Sequence, residues 1–204
     1  MRLMERDREI LKFINAVGWC NAPQLGKRFG MKWWIVYRVM KRLMRAGLVL
    51  HKKVNFEFHG IYHLTPKGAS YTDLPSLEKI SKGIHDHQQI LVNVILKLRE
   101  KYPDAIWVSE RHLKQQKFQY GVGKSGHISD GVLIFPDNKK ISIEVELSLK
   151  SRKRLQGIIN SYAGTLAYKE VWYFCSDNVM RGIHALAGKK SFIKIYSLRE
   201  FLHE

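Results

Sequence analysis

Three features are scarce or absent in this 204-residue chain, and each absence argues against a class of protein. The two cysteines, Cys20 and Cys175, lie far apart without a CxxC spacing, which favours buried or free thiols in a reducing cytosol over a disulfide or a zinc site. The first residues, MRLMERDREILKF, are charged and helical in pattern, unlike a signal peptide. No apolar run is long enough to span a bilayer. The sequence therefore predicts a soluble, cytoplasmic protein.

Acidic residues are also scarce, with 18 Asp and Glu against 35 Lys and Arg and a formal net charge of +17. Such a surface attracts polyanions, and nucleic acid is the first candidate partner. An anionic membrane is the second candidate, but the chain has neither a basic amphipathic segment with a Trp/Leu face nor a lipidation signal. At this length we expect one large domain or two small ones. The composition therefore favours a partner that is nucleic acid and not a membrane.

The first 75 residues carry the periodicity of three helices followed by two strands. Apolar residues at helical spacing over 4–18 predict the first helix, Asn21 caps a short second helix, and the third runs from about Met31 to Arg45. Two strand-type runs, LVLHKKV and FEFHGIYHLT, follow, and Thr65 begins a further helix. This order predicts a small helical domain that carries a β-hairpin.

Two phrases in this region, KRLMRAGLV and YHLTPKG, resemble the recognition-helix end and the wing-to-helix junction of bacterial winged-helix DNA-binding domains. The resemblance covers residues 1–75, and the charge agrees with it: up to Thr72 there are 14 Lys and Arg against four acids, a balance of +10. It implies a winged helix-turn-helix whose third helix enters the major groove of double-stranded DNA. A winged helix used only for protein contacts is the alternative.

The third helix would then have a buried face and a DNA face. Val36, Val39 and Leu43 have the spacing of the buried stripe. One of Trp33 and Trp34 is expected in the core, and the sequence does not decide which. The residues expected to contact DNA in this region are Lys32, Trp33, Tyr37, Arg38, Lys41 and Arg42 on the helix and Lys52 and Lys53 on the wing. Among them, Arg38 could contact a guanine or only a phosphate.

A stretch without periodicity separates this region from the rest of the chain. Residues 76–83 are predicted to be a linker, and residues 84–204 a second domain. That domain begins with a strong helical pattern from Ile84 to Tyr102. His85 and His87, at its start, point apart on a helix, so capping and polar contacts are favoured over a metal site.

A strand over residues 105–110 is followed by a polar, Gly-rich stretch, KQQKFQYGVGKSGH, at residues 114–127. This stretch is predicted to be a loop with room to lie over a site. It contains GVGKSG, which resembles a phosphate-binding loop only superficially, because the GxxxxGK[ST] spacing is absent and no strand directly precedes it. We therefore expect no nucleotide cofactor.

The stretch from His127 to Arg154 predicts two strands, a tight turn and a basic helix. Asp130 lies on the first strand, and Glu144 and Glu146 share one face of the second, ISIEVELS, because side chains two apart point the same way. If the strands are neighbours, three carboxylates converge, and Mg²⁺ or Mn²⁺ prefers such oxygen ligands. Alternation of this kind also fits any half-exposed strand. The concentration of acids in a strongly basic chain favours the metal site.

Positive charge follows these acids directly. Lys150 and the run Arg152, Lys153 and Arg154 are expected to begin the next helix and to contact DNA beside the acidic pocket. The remaining pattern predicts a helix over about 151–164, a buried strand over 171–176, a helix over 179–187, a strand FIKIYS and a final helix LREFLH.

The order helix, strand, strand, strand, helix, strand resembles the restriction-endonuclease-like fold of the PD-(D/E)xK superfamily. Carried over residue by residue, Asp130 matches the PD aspartate, with Ser129 in place of the proline, and Glu144 matches the (D/E) position. Glu146 occupies the lysine position, and Lys150 is the nearest candidate for a migrated lysine. The resemblance implies an α+β (mixed α/β) fold with metal ligands Asp130 and Glu144 and a catalytic set of Asp130, Glu144, Glu146, Lys150 and the outlying acid Glu110.

The whole chain resembles the replication-relaxation family of plasmid and mobile-element proteins, and is similar to the C class of plasmid mobilisation relaxases. The phrases that carry the resemblance are HDHQQILVNVILKLRE, WVSE, ISDGVLIF and IEVELSLKSRKRL. It implies recognition of a plasmid origin, alone or with other mobilisation or replication proteins, and metal-dependent nicking. A non-catalytic origin-binding or regulatory protein with a degenerate nuclease-like domain is the alternative. A repressor with a ligand domain is less favoured, because it would leave the acids unexplained.

Overall fold

The computed structural model describes residues 3–53, 60–77, 79–80, 83, 85–119, 127–188 and 190–203. These residues form a mixed α/β protein with two separate β-sheets, as the predicted class requires. The chain divides into two compact units, Met1–Val92 and Asn93–Glu204. No helix among the described residues is both long and apolar enough to cross a membrane.

In the first unit, three helices precede the predicted pair of strands. β1 pairs with β3 and β3 with β2, all antiparallel. The sequence does not predict β1, because a strand of two residues has no periodicity. The elements are α1 (Glu5–Val17), β1 (Cys20–Asn21), α2 (Ala22–Phe29), α3 (Trp33–Arg45), β2 (Val49–Lys52), β3 (Ile61–Leu64) and α4 (Pro66–Ala69).

The bounds of α2 follow from its capping residues. The Asn21 side chain accepts a hydrogen bond from the Gln24 backbone N–H at 2.9 Å, and the Gln24 side chain accepts one from the Asn21 N–H at 3.0 Å. This capping box satisfies two backbone donors that a helix start leaves without partners. Gly30 ends the helix with a φ of 61°, a left-handed conformation that glycine adopts without strain. The predicted cap at Asn21 is thus confirmed.

The core of the first unit lies between its helices and its sheet. The predicted buried stripe of α3 is confirmed, and Met40 completes it. A part of the chain close to the predicted linker also packs here: the Asn15 side chain donates to Thr72 Oγ1 at 2.7 Å and to the Leu74 carbonyl at 2.6 Å. The fully buried side chains from the three helices include Ile10, Leu11, Ile14, Leu25, Val36, Met40 and Leu43.

The long helix α5 (His85–Lys101) contains the division between the units. Its first turns belong to the first unit, because the His85 ring stacks on Trp19 with 4.7 Å between centroids. The Gln88 side chain also donates a hydrogen bond to the Val17 carbonyl. The compact units therefore divide at Val92, within the helix and beyond residues 76–83, of which 78, 81 and 82 lie outside the described residues.

The second unit is built on a sheet with the order β4-β5-β6-β7-β8. The pairs β4–β5 and β5–β6 are antiparallel, and β6–β7 and β7–β8 are parallel. The elements after α5 are β4 (Ile106–Ser109), α6 (Glu110–Gln119), β5 (Gly131–Ile134), β6 (Lys140–Glu146), α7 (Arg152–Ala163), β7 (Glu170–Cys175), α8 (Asp177–Ala187), β8 (Ile193–Ser197) and α9 (Leu198–His203).

Two expectations for the start of this unit are wrong. The chain from Glu110 to Gln119 is helical and not a strand end followed by a loop, because ERHLKQQKFQ consists largely of residues with good helix propensity. The GVGKSG part of the predicted loop, residues 121–126, lies outside the described residues. The strand expected from His127 begins only at Gly131, after a bend at Asp130.

One face of the sheet is covered by α7 and α8. Leu155, Ile158, Ile159 and Tyr162 of α7 are buried and pack with residues of β7 and α8 in one core. Both cysteines are free and buried, Cys20 in the first unit and Cys175 in this core. β6 lies between β5 and β7, and its side chains on both faces of the sheet are buried from Ile141 to Glu146.

Candidate functional site

Six exposed side chains form one surface of the first unit, which we call the α3 face. Both tryptophans are on it, with Trp33 76% and Trp34 42% exposed, so the expectation that one of them is in the core is wrong. The physical reason is that Val36, Val39, Met40 and Leu43 already fill the buried stripe of the helix. The α3 face consists of Lys32, Trp33, Trp34, Tyr37, Arg38 and Lys41.

Two of the cations on the α3 face lie beside aromatic rings. The Lys32 ammonium lies 5.1 Å from the centre of the Trp34 ring, and the Lys41 ammonium lies 6.0 Å from the centre of the Tyr37 ring. The rings of Trp33 and Trp34 meet edge to face with 5.8 Å between centroids. Such contacts hold a cation beside a ring without neutralising it. The face therefore keeps both its positive charge and its apolar area available to a ligand.

Arg42 was expected on the DNA face, and the structure corrects this. Its guanidinium donates to the Asp7 carboxylate at 2.5 Å, and Asp7 is fully buried. Asp7 also accepts a hydrogen bond from the Met4 backbone N–H at the start of α1. A buried carboxylate needs such a partner, because an unpaired buried charge is very unfavourable. Arg42 therefore joins α3 to α1 and is not part of the α3 face.

The expected wing residues Lys52 and Lys53 are exposed at the end of β2. The tip of the predicted hairpin, residues 54–59, lies outside the described residues. Since α3 itself contains no Asp or Glu, its exposed surface carries charge of one sign. The first unit thus presents cations on α3 and on β2.

In the second unit, Asp130, Glu144 and Glu146 form what we call the acid cluster. Glu144 and Glu146 are 3% and 5% exposed, so the interpretation of β6 as an ordinary half-exposed strand is wrong. Asp130 comes directly before the Gly131–Ile143 pair of the antiparallel β5–β6 ladder and therefore lies across from Glu144. On the other side, Glu144 pairs with Tyr173 of β7. Side chains in register on neighbouring strands share one face of the sheet.

Every acid of the cluster accepts a hydrogen bond from the protein. Glu144 Oε1 lies 2.5 Å from His127 Nε2 and accepts a second hydrogen bond from the Tyr162 hydroxyl. Asp130 Oδ2 accepts from the Val145 N–H at 2.8 Å. Glu146 accepts from the Lys150 ammonium. The cluster is therefore compensated by a histidine, a tyrosine, a backbone amide and a lysine.

Burial raises the pKa of Glu144 above its ordinary value of 4.5, although the hydrogen bonds from His127 and Tyr162 act in the opposite direction. Burial alone would lower the pKa of His127, but the hydrogen bond to Glu144 and the negative charge of Glu144 raise it above 6.5. Burial and the charge of Glu144 raise the pKa of Tyr162, whose phenol stays protonated and can only donate to this carboxylate. His127 and Glu144 thus share protons as one coupled pair.

The acids have the chemistry of a Mg²⁺ or Mn²⁺ ligand set, and their described partners are groups of the protein itself. Among the described residues, no group of three or more His, Cys, Asp and Glu side chains could hold a metal ion. Asp130 and Glu144 lie side by side, while the described hydrogen bonds direct their oxygens to protein donors. Asp130, Glu144 and Glu146 thus lie together on neighbouring strands, and a metal site at Asp130 and Glu144 stays a prediction.

The remaining predicted site residues lie at different places around the acid cluster. Glu110 begins α6 and forms a surface ion pair with Lys114 at 2.6 Å. Lys150 precedes α7 and is not part of it, because the helix begins after the capping residue Ser151. The basic run follows in the first turn of α7 and is exposed, as expected: Arg152, Lys153 and Arg154.

Three residues of this region were missed by the sequence analysis: His127, Tyr162 and Tyr173. Tyr162 is recognisable from the sequence only as part of the buried stripe of α7, and its hydroxyl also lies 2.8 Å from Ser142 Oγ. Tyr173 is 1% exposed, and its hydroxyl has no hydrogen-bond partner among the described residues. Burial, and then the charges of Glu144 and Glu146, raise its pKa. Nothing in the apolar run VWYFCS indicates that one hydroxyl lies close to carboxylates.

Comparisons with protein-family models, with curated proteins and with solved structures found no match to this chain. Its function is therefore inferred from the placement of its own side chains. The two regions that carry such an inference are the α3 face and the acid cluster.

Proposed function

We propose that this chain binds double-stranded DNA and that α3 contacts the DNA, within a winged helix-turn-helix formed by residues 1–75. The observation that carries the proposal is the α3 face, which has three exposed cations and three exposed aromatic rings and no acid. In helix-turn-helix proteins the recognition helix lies in the major groove, and cations bind the phosphates on either side. Lys52 and Lys53 extend the same charge onto the wing.

The charge of the whole chain supports this partner. A net charge of +17 attracts a polyanion over several ångströms, and within the part of the chain that the structure describes no ion pair joins Lys32, Arg38 or Lys41 to an acid. Folding fixes which side of α3 is presented, because the opposite side is buried in the core of the first unit. An unneutralised, fixed row of cations is what contact with regularly spaced phosphates requires.

The resemblance to replication-relaxation proteins extends the proposal to a DNA source, an origin of a plasmid or another mobile element. The order of α5, β4, β5, β6, α7 and β7 supports a nuclease-like second domain, with α6 as an insertion between β4 and β5. Other mobilisation or replication proteins would then be partners at the same origin.

A second candidate function is metal-dependent nicking of that DNA. Asp130 and Glu144 lie side by side on neighbouring segments, and Lys150 contacts Glu146, the residue at the usual lysine position; both observations favour it. The protein hydrogen bonds to all three acids favour instead a non-catalytic accessory or regulatory protein whose second domain is a degenerate nuclease. Mg²⁺ or Mn²⁺ is the cofactor in the first case only.

DNA binding is tested by fluorescence anisotropy of a labelled duplex as salt is increased. We expect the affinity to fall steeply, with a log–log slope of about −0.9 for each phosphate contact. The proposal fails if no duplex is bound, or if the affinity does not depend on salt. The exposed face of α3 predicts that a heparin competitor displaces the DNA.

Nicking is tested with a supercoiled plasmid that carries a site selected from random duplexes, incubated with Mn²⁺ or with EDTA. The variant Asp130→Asn keeps an acceptor for the Val145 N–H but removes the charge, and Asp137→Asn in the exposed turn is its matched control. Open circles that require Mn²⁺ and disappear in the first variant alone would establish the nuclease. Binding without any open circles would establish the accessory protein.

A further inference from the structure

The aromatic side chains of the α3 face are more exposed than the stability of the fold can explain. Trp33 is 76% and Tyr37 57% exposed, although rings of this size are among the side chains that gain most from burial. They are four residues apart on one helix, so they lie on the same face one turn from each other. Two large rings exposed together indicate a binding surface and not a packing defect.

The amide, carboxylate and small hydroxyl side chains that read adenine and cytosine edges are missing from this helix. The sequence of α3, WWIVYRVMKRLMR, contains no Asn, Gln, Ser, Thr, Asp or Glu. It therefore cannot make the bidentate amide contact that identifies adenine, and Arg38 is its one exposed guanidinium before the last turn. Lys41 and Lys32 are suited to phosphates. Beyond Arg38 and these lysines, the exposed side chains of this face that can meet a base edge are its aromatic rings.

In an intact duplex the faces of the bases are covered by stacking, and a helix in the major groove meets only their edges. Of the four bases, thymine alone presents an apolar group there, the C5-methyl. A ring that projects from a rigid helix can bury that methyl without unpairing the base. Stacking on an unpaired base would also use an aromatic ring, but it is the mode of proteins that track single strands in a basic groove.

We propose that Trp33 and Tyr37 recognise thymine methyl groups in the major groove. The two recognised methyl groups would then lie about 5 Å apart, which is the rise of one turn of an α-helix. The proposal rests on the proposed duplex binding by α3. Trp34 has a supporting role, because its ring meets Trp33 edge to face and lies beside the Lys32 ammonium. Lys32 and Lys41 bind the flanking phosphates and set the position of the helix.

The test compares duplexes that differ only in the methyl group. Sites are selected from a random duplex library with the full chain, and each is then synthesised with thymine or with uracil. Burying one methyl is worth about a fourfold difference in affinity. We expect this loss for each contacted thymine that becomes uracil, and we expect Trp33→Ala and Tyr37→Ala each to abolish the discrimination at one position.

Tyr71→Ala is the matched control, since Tyr71 is an exposed aromatic residue of the same unit that lies outside α3. It should keep the full preference for thymine over uracil. Equal affinity of the wild-type chain for both duplexes, or a preference kept by both α3 variants, overturns the inference while leaving duplex binding intact. Tighter binding of the same strands unpaired overturns it in favour of base stacking. Absence of any duplex binding overturns the proposed function as well.

Discussion

The α3 face and the acid cluster differ in whether their charged groups are exposed to solvent or buried with partners inside the protein. On α3, cations and rings are exposed on a helix that has no acid to neutralise them. In the second unit, Glu144 and Glu146 are almost completely buried, and each contacts a protein cation or proton donor. The cations and rings of the α3 face are therefore available to a binding partner, whereas the carboxylates of the acid cluster already have partners within the fold.

The difference follows from the cost of removing a charge from water. An exposed lysine needs no partner within the fold, because water solvates its ammonium group when no phosphate is bound. A buried carboxylate must have its partners in the folded chain, and removing one of them leaves an unfavourable group behind. Substitutions on the α3 face should therefore change binding and not stability, and substitutions around the acid cluster should change stability.

The largest effect on stability is expected at Gly68 in the first unit, where a backbone contact leaves no room for a side chain. A Cβ at Gly68 of α4 would overlap the Leu48 carbonyl oxygen, which is part of the backbone and cannot move aside. We expect Gly68→Ala to lower the free energy of unfolding by about 3 kcal/mol, as overpacking does. Urea denaturation followed by circular dichroism measures this.

Gly157→Ala is the matched control for Gly68→Ala. Gly157 lies within α7, and an added Cβ there has no neighbour within 4 Å. Alanine should therefore raise stability by about 0.5–1 kcal/mol through helix propensity alone. Equal losses in the two variants would mean that the close approach of α4 to the Leu48 backbone is not a real constraint.

Two tyrosines of the second unit give the next largest contrast. Tyr162 donates to Glu144, so Tyr162→Phe should lower the free energy of unfolding by about 2 kcal/mol, the value of a buried hydrogen bond to a charged group. Tyr173 has no hydrogen-bond partner among the described residues, so Tyr173→Phe should leave stability unchanged or raise it by up to about 1 kcal/mol. Similar losses from both would contradict the account of the acid cluster.

The coupled pair of His127 and Glu144 predicts a pH dependence. The pKa of His127 is raised above 6.5 in the folded chain, so folding takes up protons, and this part of the stability is complete below 6.5 and is lost as the pH rises through the raised pKa. Burial lowers the pKa of His63, so this residue makes stability rise with pH up to its ordinary value of 6.5. With EDTA present, the unfolding free energy should therefore fall from about pH 7 to about pH 8.5, by at most about 1.4 kcal/mol per pH unit. The pH of the measurement should stay below 9.0, the ordinary pKa of a thiol, because above it the buried Cys20 and Cys175 also make stability depend on pH.

His127→Gln should remove this pH dependence, while His184→Gln, a substitution of an exposed histidine on α8, should keep it. An unchanged slope in His127→Gln would mean that another group takes up the proton on folding.

The smallest effect on stability is expected on the α3 face itself. Trp33→Ala and Tyr37→Ala remove exposed rings, so each should change the free energy of unfolding by no more than about 0.5 kcal/mol. Thermal unfolding of the two variants beside Tyr71→Ala checks this. A loss of several kcal/mol would show that the rings serve the fold, and their exposure would no longer indicate a binding surface.

The helices and strands of both units could be predicted where periodicity was long or caps were distinct. Asn21, the stripe of α3 and the buried residues of α7 are examples, because each pattern reports one local preference. The helix from Glu110 was missed, since polar helix formers without an apolar stripe resemble a loop. β1 was missed because tertiary pairing with β3, and not its own sequence, makes it a strand.

The acidic residues of the candidate site could be predicted from the sequence, but their hydrogen-bond partners could not. The sequence places Asp130, Glu144 and Glu146 on neighbouring elements, and they do lie together. It does not reveal that His127, Tyr162 and Lys150 donate to them, because these contacts form only when the sheet and α7 pack. The partner of Arg42 is hidden for the same reason: Asp7 is 35 residues away along the chain.

The most direct test of duplex binding through α3 is the salt dependence of DNA affinity in the double variant Arg38→Gln/Lys41→Gln. Both residues are exposed cations of the α3 face, and Arg8→Gln, on the exposed side of α1, is the matched control. We predict that the log–log slope becomes shallower by about 0.9 for each lost phosphate contact, while the control keeps the wild-type slope. A double variant with the wild-type slope would contradict the account, because the phosphates would then be bound elsewhere on the chain.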